Sequence, residues 1–217
     1  MKLMHVDSSP VGAKSRSRML AGEFVEMLRA RDPNLTVDYL DLAEHAPPHM
    51  TGAFVTASYA KSDQRTPEMN ATLAESDALC KRLLDADALL LSVPMYNWSM
   101  PSTTKSFIEA TMRAGLTYGF DANGGLIGLV NRQKVLFVTT RGGDTRLGAP
   151  FAGMDALTAA LQNAFAFIGV ANPQFVDAQP TDFGKPEECA AALDRARVEL
   201  AVIARQWAPV GLEPLVS

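Results

Sequence analysis

Short apolar runs alternate with longer stretches of helical periodicity from one end of the chain to the other. Lys2 to Asp7 (KLMHVD), Leu35 to Leu40 (LTVDYL), Ala88 to Val93 (ALLLSV), Val135 to Thr140 (VLFVTT) and Gln174 to Ala178 (QFVDA) have the length and composition of strands. Between the first two, Leu20, Phe24, Met27 and Leu28 fall at i, i+4, i+7 and i+8, one face of a helix that starts near Ser15 to Ser17. Helical patterns recur at Pro67 to Leu84, Pro101 to Arg113, Met154 to Ile168 and Pro186 to Gln206. The run ALLLSV is apolar throughout rather than alternating, as a parallel strand covered on both faces should be. This order of strand and helix predicts an α/β fold with a parallel sheet wrapped by helices. The segment Ala43 to Arg65 has weak periodicity and reads as an excursion that folds partly as helix. No repeat or low-complexity linker divides the chain, so residues 1–217 read as a single domain.

Composition removes several classes of function. Apolar residues make up 47% and charged residues 20%, ordinary for a globular protein. The 20 basic and 24 acidic residues leave a net charge of -4, with no basic block to track a phosphodiester backbone, so nucleic acid is not an expected partner. Cys80 and Cys189 belong to no CxxC pair or Cys/His cluster. Neither a metal site nor a disulfide framework is therefore expected, and a reducing cytoplasm suits the chain. The N-terminal MKLMHVD reaches Asp7 before an apolar run of signal-peptide length forms. Leu157 to Ala171, the most apolar long stretch, is interrupted by Thr158, Gln162 and Asn163 and is too short to cross about 30 Å of hydrocarbon. No membrane span is expected.

Open parallel sheets bind ligands beyond the carboxyl ends of their strands, which directs attention to the loops after the first, third and fourth predicted strands. The first loop, Ser8 to Ser17 (SSPVGAKSRS), is rich in hydroxyls and runs into a helix N-terminus, where free amides and Arg16 suit a phosphate. Neither GxGxxG nor GxxxxGK[ST] occurs, so a monophosphate fits better than a dinucleotide or a P-loop. The same residues also read as a simple N-cap beside a solvated arginine. The loop after the third strand, Pro94 to Pro101 (PMYNWSMP), sets two large rings and the Asn97 amide among main-chain amides, as a planar heterocycle requires. A tight turn with its aromatics tucked into the core is the other reading. After the fourth strand, Thr140-Arg141-Gly142-Gly143 permits close backbone approach to a ligand or makes an ordinary turn.

Taken together, Pro94-Met95-Tyr96-Asn97, Arg113-Ala114-Gly115-Leu116-Thr117-Tyr118 and Arg141-Gly142-Gly143, in this order and spacing, resemble the FMN-dependent NADH azoreductases, also called NADH:quinone oxidoreductases. The resemblance covers essentially the whole chain. It implies a flavodoxin-like three-layer sandwich whose five-stranded parallel sheet has the order 2-1-3-4-5. It places the FMN phosphate at Ser9, Ser15, Arg16 and Ser17, the isoalloxazine along Pro94, Met95, Tyr96, Asn97 and Trp98, and the pyrimidine edge at Thr140, Arg141, Gly142 and Gly143. Substrate would meet Asn97, Trp98 and Phe120, the last on the connection Leu116 to Gly125 that walls the pocket, with contributions from the other subunit of a homodimer. Phe165 and Phe167 read better as core. Arg16 stands where a familiar member has Gln, and Trp98 where Phe is frequent.

The resemblance further implies tightly but noncovalently bound FMN, with NADH or NADPH as electron donor. Quinones and aromatic azo compounds would be reduced in a two-electron ping-pong scheme, with the hydride chemistry on FMN N5 and no catalytic side chain. His5, His45 and His49 receive no catalytic role. The rival reading is a flavodoxin-type electron carrier with one-electron traffic to proteins. A net charge of only -4 and the extra connection at Leu116 to Gly125 argue against it. A flavin-binding regulatory module without turnover is the third class.

Overall fold

The computed structural model describes residues 1–208; residues 209–217, included in the single domain expected from sequence, lie outside the described residues. The elements follow in the order β1 (Lys2–Asp7), α1 (Arg16–Arg29), β2 (Thr36–Asp41), α2 (Gly52–Tyr59), α3 (Pro67–Asp85), β3 (Ala88–Pro94), α4 (Ser102–Thr111), β4 (Tyr118–Phe120), β5 (Leu126–Gly128), β6 (Lys134–Thr140), α5 (Leu157–Phe167), β7 (Gln174–Ala178) and α6 (Pro186–Trp207). Five strands form one parallel sheet in the order β2-β1-β3-β6-β7. Counting only these long strands, the order is the expected 2-1-3-4-5.

β3 shows why a central strand is apolar on both faces. Leu89, Leu91 and Val93 join the core that contains Leu79 and Leu83 of α3, Phe107 of α4 and Leu161 and Phe165 of α5. Ala88 and Leu90 point the other way, into the core formed with Leu20, Phe24 and Leu28 of α1 and Leu200 and Trp207 of α6. Three layers result, and every strand of the sheet ends on the same edge.

Helix starts carry the local signals expected of them. Ser15, Thr51 and Thr66 each cap a helix by accepting a backbone N–H, at 3.3, 3.2 and 3.3 Å. Pro67 and Pro186 sit in the first turns of α3 and α6. Within the excursion after β2, α2 packs on α3 with only Ala57 fully buried, which explains its weak periodicity. Strand β2 lies one residue later than the pattern suggests, because Thr36 N donates to Met1 O at 3.0 Å and starts the pairing there.

The connection after α4 is an antiparallel hairpin of β4 and β5, paired Tyr118 to Gly128 and Phe120 to Leu126. Its turn is held by Asp121, whose Oδ1 accepts from Asn123 N and Gly125 N, both at 2.8 Å. The hairpin lies flush on the segment after α5: an ideal Cβ on Gly128 would fall 2.1 Å from Gly169 N. Among the described residues no helix is long and apolar enough to cross a membrane.

Candidate functional site

The loop after β1 is held from below by a buried polar cluster. Asp7, the last residue of β1, accepts from Tyr39 Oη at 2.9 Å and Ser92 Oγ at 2.5 Å, and its Oδ1 lies 3.1 Å from His5 Nε2. Burial pushes the Asp7 carboxyl up, but hydrogen bonding and charge from His5, with the bonds from Ser92 and Tyr39, outweigh it and leave the carboxyl below its ordinary 3.8. The neighbouring carboxylate and burial hold the Tyr39 phenol at about 12, so it remains a donor. Arg18 adds a brace: its guanidinium forks onto Asp41 and donates twice to Ser9 O, at 2.9 and 2.6 Å. The course of the loop is fixed by charges at its base.

Above this base lies a cavity of about 120 Å³, lined by Ser9, Ser15 and Arg16 on one side and by Pro94, Tyr96, Thr140 and Gly142 on the other. It opens at the N-terminus of α1, where among the described residues the N–H groups of Arg16 and Ser17 donate to no protein acceptor. Arg16 Nη1 reaches across its mouth to Asp182 Oδ1 at 2.5 Å. A second cavity, of about 490 Å³, continues along Met95, Tyr96, Asn97 and Trp98 to Gly142, Gly143 and Phe183. Met95, Tyr96, Gly142 and Asp182 line both, so the two form one bent groove along the carboxyl edge of the sheet.

The wider part of the groove is shaped by backbone. Tyr96 and Ser99 exchange N–H···O bonds at 2.9 and 3.0 Å across a two-residue turn in which Asn97 and Trp98 have φ of 48° and 69°. Both residues are left-handed, the form of a type I′ hairpin turn, and a tryptophan there is strained. Trp98 leans on Phe151 at 5.2 Å between ring centroids. Gly143 must lack a side chain, since a Cβ would sit 2.4 Å from Phe151. Among the described residues the N–H groups of Asn97, Trp98, Gly142 and Gly143, which line this part of the groove, find no protein acceptor.

Comparison with known proteins places the chain in a family. The flavodoxin-like fold family matches residues 1–202. An FMN-dependent NADH:quinone oxidoreductase of Nostoc punctiforme is 35% identical, the match covering 95% of this chain and all of that one. A second, from Trichormus variabilis, is 38% identical over 84% of this chain and 88% of its own. The chain belongs to the FMN-dependent NADH:quinone oxidoreductases of flavodoxin-like fold. Among solved structures, an FMN-dependent NADH-azoreductase of Bacillus anthracis in complex with FMN superposes with a TM-score of 0.83 at 21% identity, covering 95% of this chain and 99% of that one. That likeness concerns the fold.

Most of the residues expected from sequence in this NADH:quinone oxidoreductase meet in the groove, and three do not. Ser17 is fully buried with its Oγ 3.1 Å from Ser15 Oγ, so its side chain supports the cap and only its N–H is offered. The Arg141 side chain turns inward: it pairs with Asp177, and with Asp155 at 3.0 Å and Thr158 at 2.7 Å. Burial pulls this guanidinium below its ordinary pKa against the pull of Asp155. Its backbone is also engaged, with N donating to Ala178 O and O accepting from Thr181 N. Arg141 is thus a brace between β6 and β7 rather than a contact for a ring edge. Phe120 is exposed on the hairpin and lines neither cavity of this chain. Thr140 lines the narrow cavity instead of the wide one.

Sequence reasoning missed Arg18, Asp182 and Phe183. The last two follow β7, whose end also opens on this edge, and backbone bonds from Asp182 and Phe183 to Gly142 O, at 3.0 and 2.7 Å, bring them over the groove. Asp7 and Asp41 ending adjacent strands were the available signal for Arg18.

Proposed function

We propose that the groove holds FMN and that the protein is an NADH:quinone oxidoreductase whose active surface is the exposed flavin face. The observation that carries this reading is the continuity of a hydroxyl- and amide-lined cavity with a flat cleft edged by free backbone donors. The narrow cavity fits the phosphate: Ser9 and Ser15 offer hydroxyls, the start of α1 offers free amides, and Arg16 offers a guanidinium. Asp182, lining both cavities, is placed for ribityl hydroxyls. Pro94, Met95, Tyr96, Asn97 and Trp98 flank the ring, and the amides of Gly142 and Gly143 face its polar edge.

Bound FMN supplies two-electron acceptance from the donor and delivery to the acceptor. The chain orients the flat partners, with Asn97 and Trp98 bounding the place where each lies, and free amides at Asn97 and Gly142 meet negative charge that develops at the ring edge. One such cleft serves donor and acceptor in turn, which gives ping-pong kinetics. Quinones are the acceptor class named for the relatives. Azo compounds, the class named for structural neighbours, extend the proposal to a second flat acceptor.

We read residues 1–208 as one domain, because a single sheet carries both cores. A homodimer is part of the proposal. Tyr59, Phe120, Leu126, Ile127, Leu129 and Phe167 leave an exposed apolar face around the hairpin, and a second copy seated there brings its Phe120 to the pocket. Light scattering should then give about twice 23.4 kDa. A cytoplasmic site of action is also proposed, supported by two unpaired cysteines. Varying NADH at fixed quinone concentrations tests the function: steady turnover with parallel double-reciprocal lines supports it, whereas no NADH oxidation by FMN-loaded protein rejects it.

A further inference from the structure

A third and larger cavity, of about 860 Å³, adjoins the wide part of the groove, and its size lies within the roughly 300–1,000 Å³ typical of small-molecule sites. Phe183 lines both cavities and is 74% exposed, so it stands as a partition between them rather than as core. Phe151, which backs Trp98, also lines the larger cavity, with Pro150 and the fully exposed Leu147. The polar part of the wall carries both signs, Arg146 and Arg195 with Asp144, Glu187 and Glu188. Arg195 has no carboxylate within 4 Å among the described residues, and Arg146 is held in one orientation by Asp144, its Nε lying 2.9 and 3.1 Å from the two oxygens. Of the two glutamates, Glu188 accepts from Lys185 N at 3.0 Å.

A nicotinamide dinucleotide is far longer than the cleft that orients its reactive ring. Its other half must leave the flavin face by one of the openings beside it. The opening toward Pro101 and Ser102 has Lys105 as its cation, but Lys105 is tied to Glu109 at 2.5 Å. The opening past Phe183 offers the unpaired guanidinium of Arg195 and aromatic and apolar surface for a base. We propose that the cavity beyond Phe183 receives the adenosine diphosphate half of the donor, Arg195 meeting its diphosphate and Phe151 and Phe183 its adenine. This rests on the NADH:quinone reading above and adds the donor's second binding site to it. Quinones, which lack this half, do not enter the cavity.

The test uses FMN-loaded protein and two probes: ADP-ribose, which carries the adenosine diphosphate without the reacting ring, and reduced nicotinamide mononucleotide, which carries the ring without the adenylate. ADP-ribose should bind by calorimetry and compete with NADH. Arg195→Ala should weaken ADP-ribose and raise KM for NADH, each about ten-fold, as loss of one charge-assisted contact implies. KM for the mononucleotide and for quinone should stay unchanged, and Arg195→Glu should deepen the NADH defect. Because Arg195 is exposed on α6, neither variant threatens folding. ADP-ribose affinity unchanged in both variants would overturn the proposal, as would an equal rise in KM for NADH and the mononucleotide. A defect confined to sulfonated azo acceptors would also overturn it, by assigning the cavity to the acceptor. Protein that binds ADP-ribose through Arg195 yet oxidises no NADH would refute the functional reading and leave the nucleotide site standing.

Discussion

The two ends of the groove are built by opposite means. At the narrow end Ser9 and Ser15 are buried by the chain itself, and Asp7, Arg18 and Asp41 brace their loop through charge-assisted bonds. At the wide end the walls are an I′ turn with two left-handed side-chain-bearing residues, exposed Tyr96 and Phe183, and two glycines. The narrow end therefore spends little ordering entropy on binding and suits a permanent anchor. The wide end keeps room for different flat molecules in succession. A cofactor that stays and partners that change call for this division.

The largest expected effect breaks the frame both ends share. Arg141→Ala leaves Asp155 and Asp177 without their shared cation and should lower stability by about 3–5 kcal/mol in urea titration. A wild-type midpoint would mean that β6 and β7 hold the wide end without this brace. Arg18→Ala removes the clamp on Ser9 O and should cost about 3 kcal/mol, with loss of FMN retention on gel filtration. Acid does the same more gently. Since the folded Asp7 carboxyl lies below its ordinary 3.8, its stabilisation is complete above that value and disappears as pH falls through the lower folded pKa. FMN fluorescence should accordingly report release only below about pH 3.8, and release beginning near pH 6 would point to a different group.

Arg16→Ala should weaken FMN by about 1–3 kcal/mol and leave riboflavin affinity alone, since riboflavin has no phosphate to lose. Equal losses for the two flavins would place Arg16 outside the anchor. The smallest effect belongs to the wide end. Trp98→Gly should fold more stably than Trp98→Ala by about 1–2 kcal/mol, because only glycine takes the left-handed φ of 69° without strain. Both variants should change acceptor preference more than FMN retention. Parallel losses of cofactor and acceptor binding would erase the distinction between the two ends.

The long elements were legible because they bury one periodic face or two. β1 and β7 span the residues the pattern indicated, and α1 begins at the N-cap the serines suggested. The hairpin was not legible as strands: three residues on each side are too few for alternation to register, and Leu126 and Ile127 are both exposed. At the site, loops after three strands were located by topology alone, but a residue type does not reveal where its side chain points. Arg141 was placed at the pyrimidine edge by the resemblance, whereas Asp155 and Asp177, distant in sequence, draw it inward. The loop bearing Asp182 and Phe183 escaped because it carries no motif, only a position at the end of β7.

The contact between Gly128 and Gly169 limits how the hairpin can drift over generations. An added methyl at Gly128 meets backbone atoms of Ile168 and Gly169, not a side chain that can swing aside, and Val130 N is tied to Ile168 O at 2.8 Å in the same place. Change in this segment is thereby channelled to the outward residues, Phe120, Leu126 and Ile127, which belong to neither buried core. The hairpin is a fixed mount with an interchangeable face. Descendants of this sequence can be refitted to new neighbours there while the mount, and the sheet edge behind it, stays as it is.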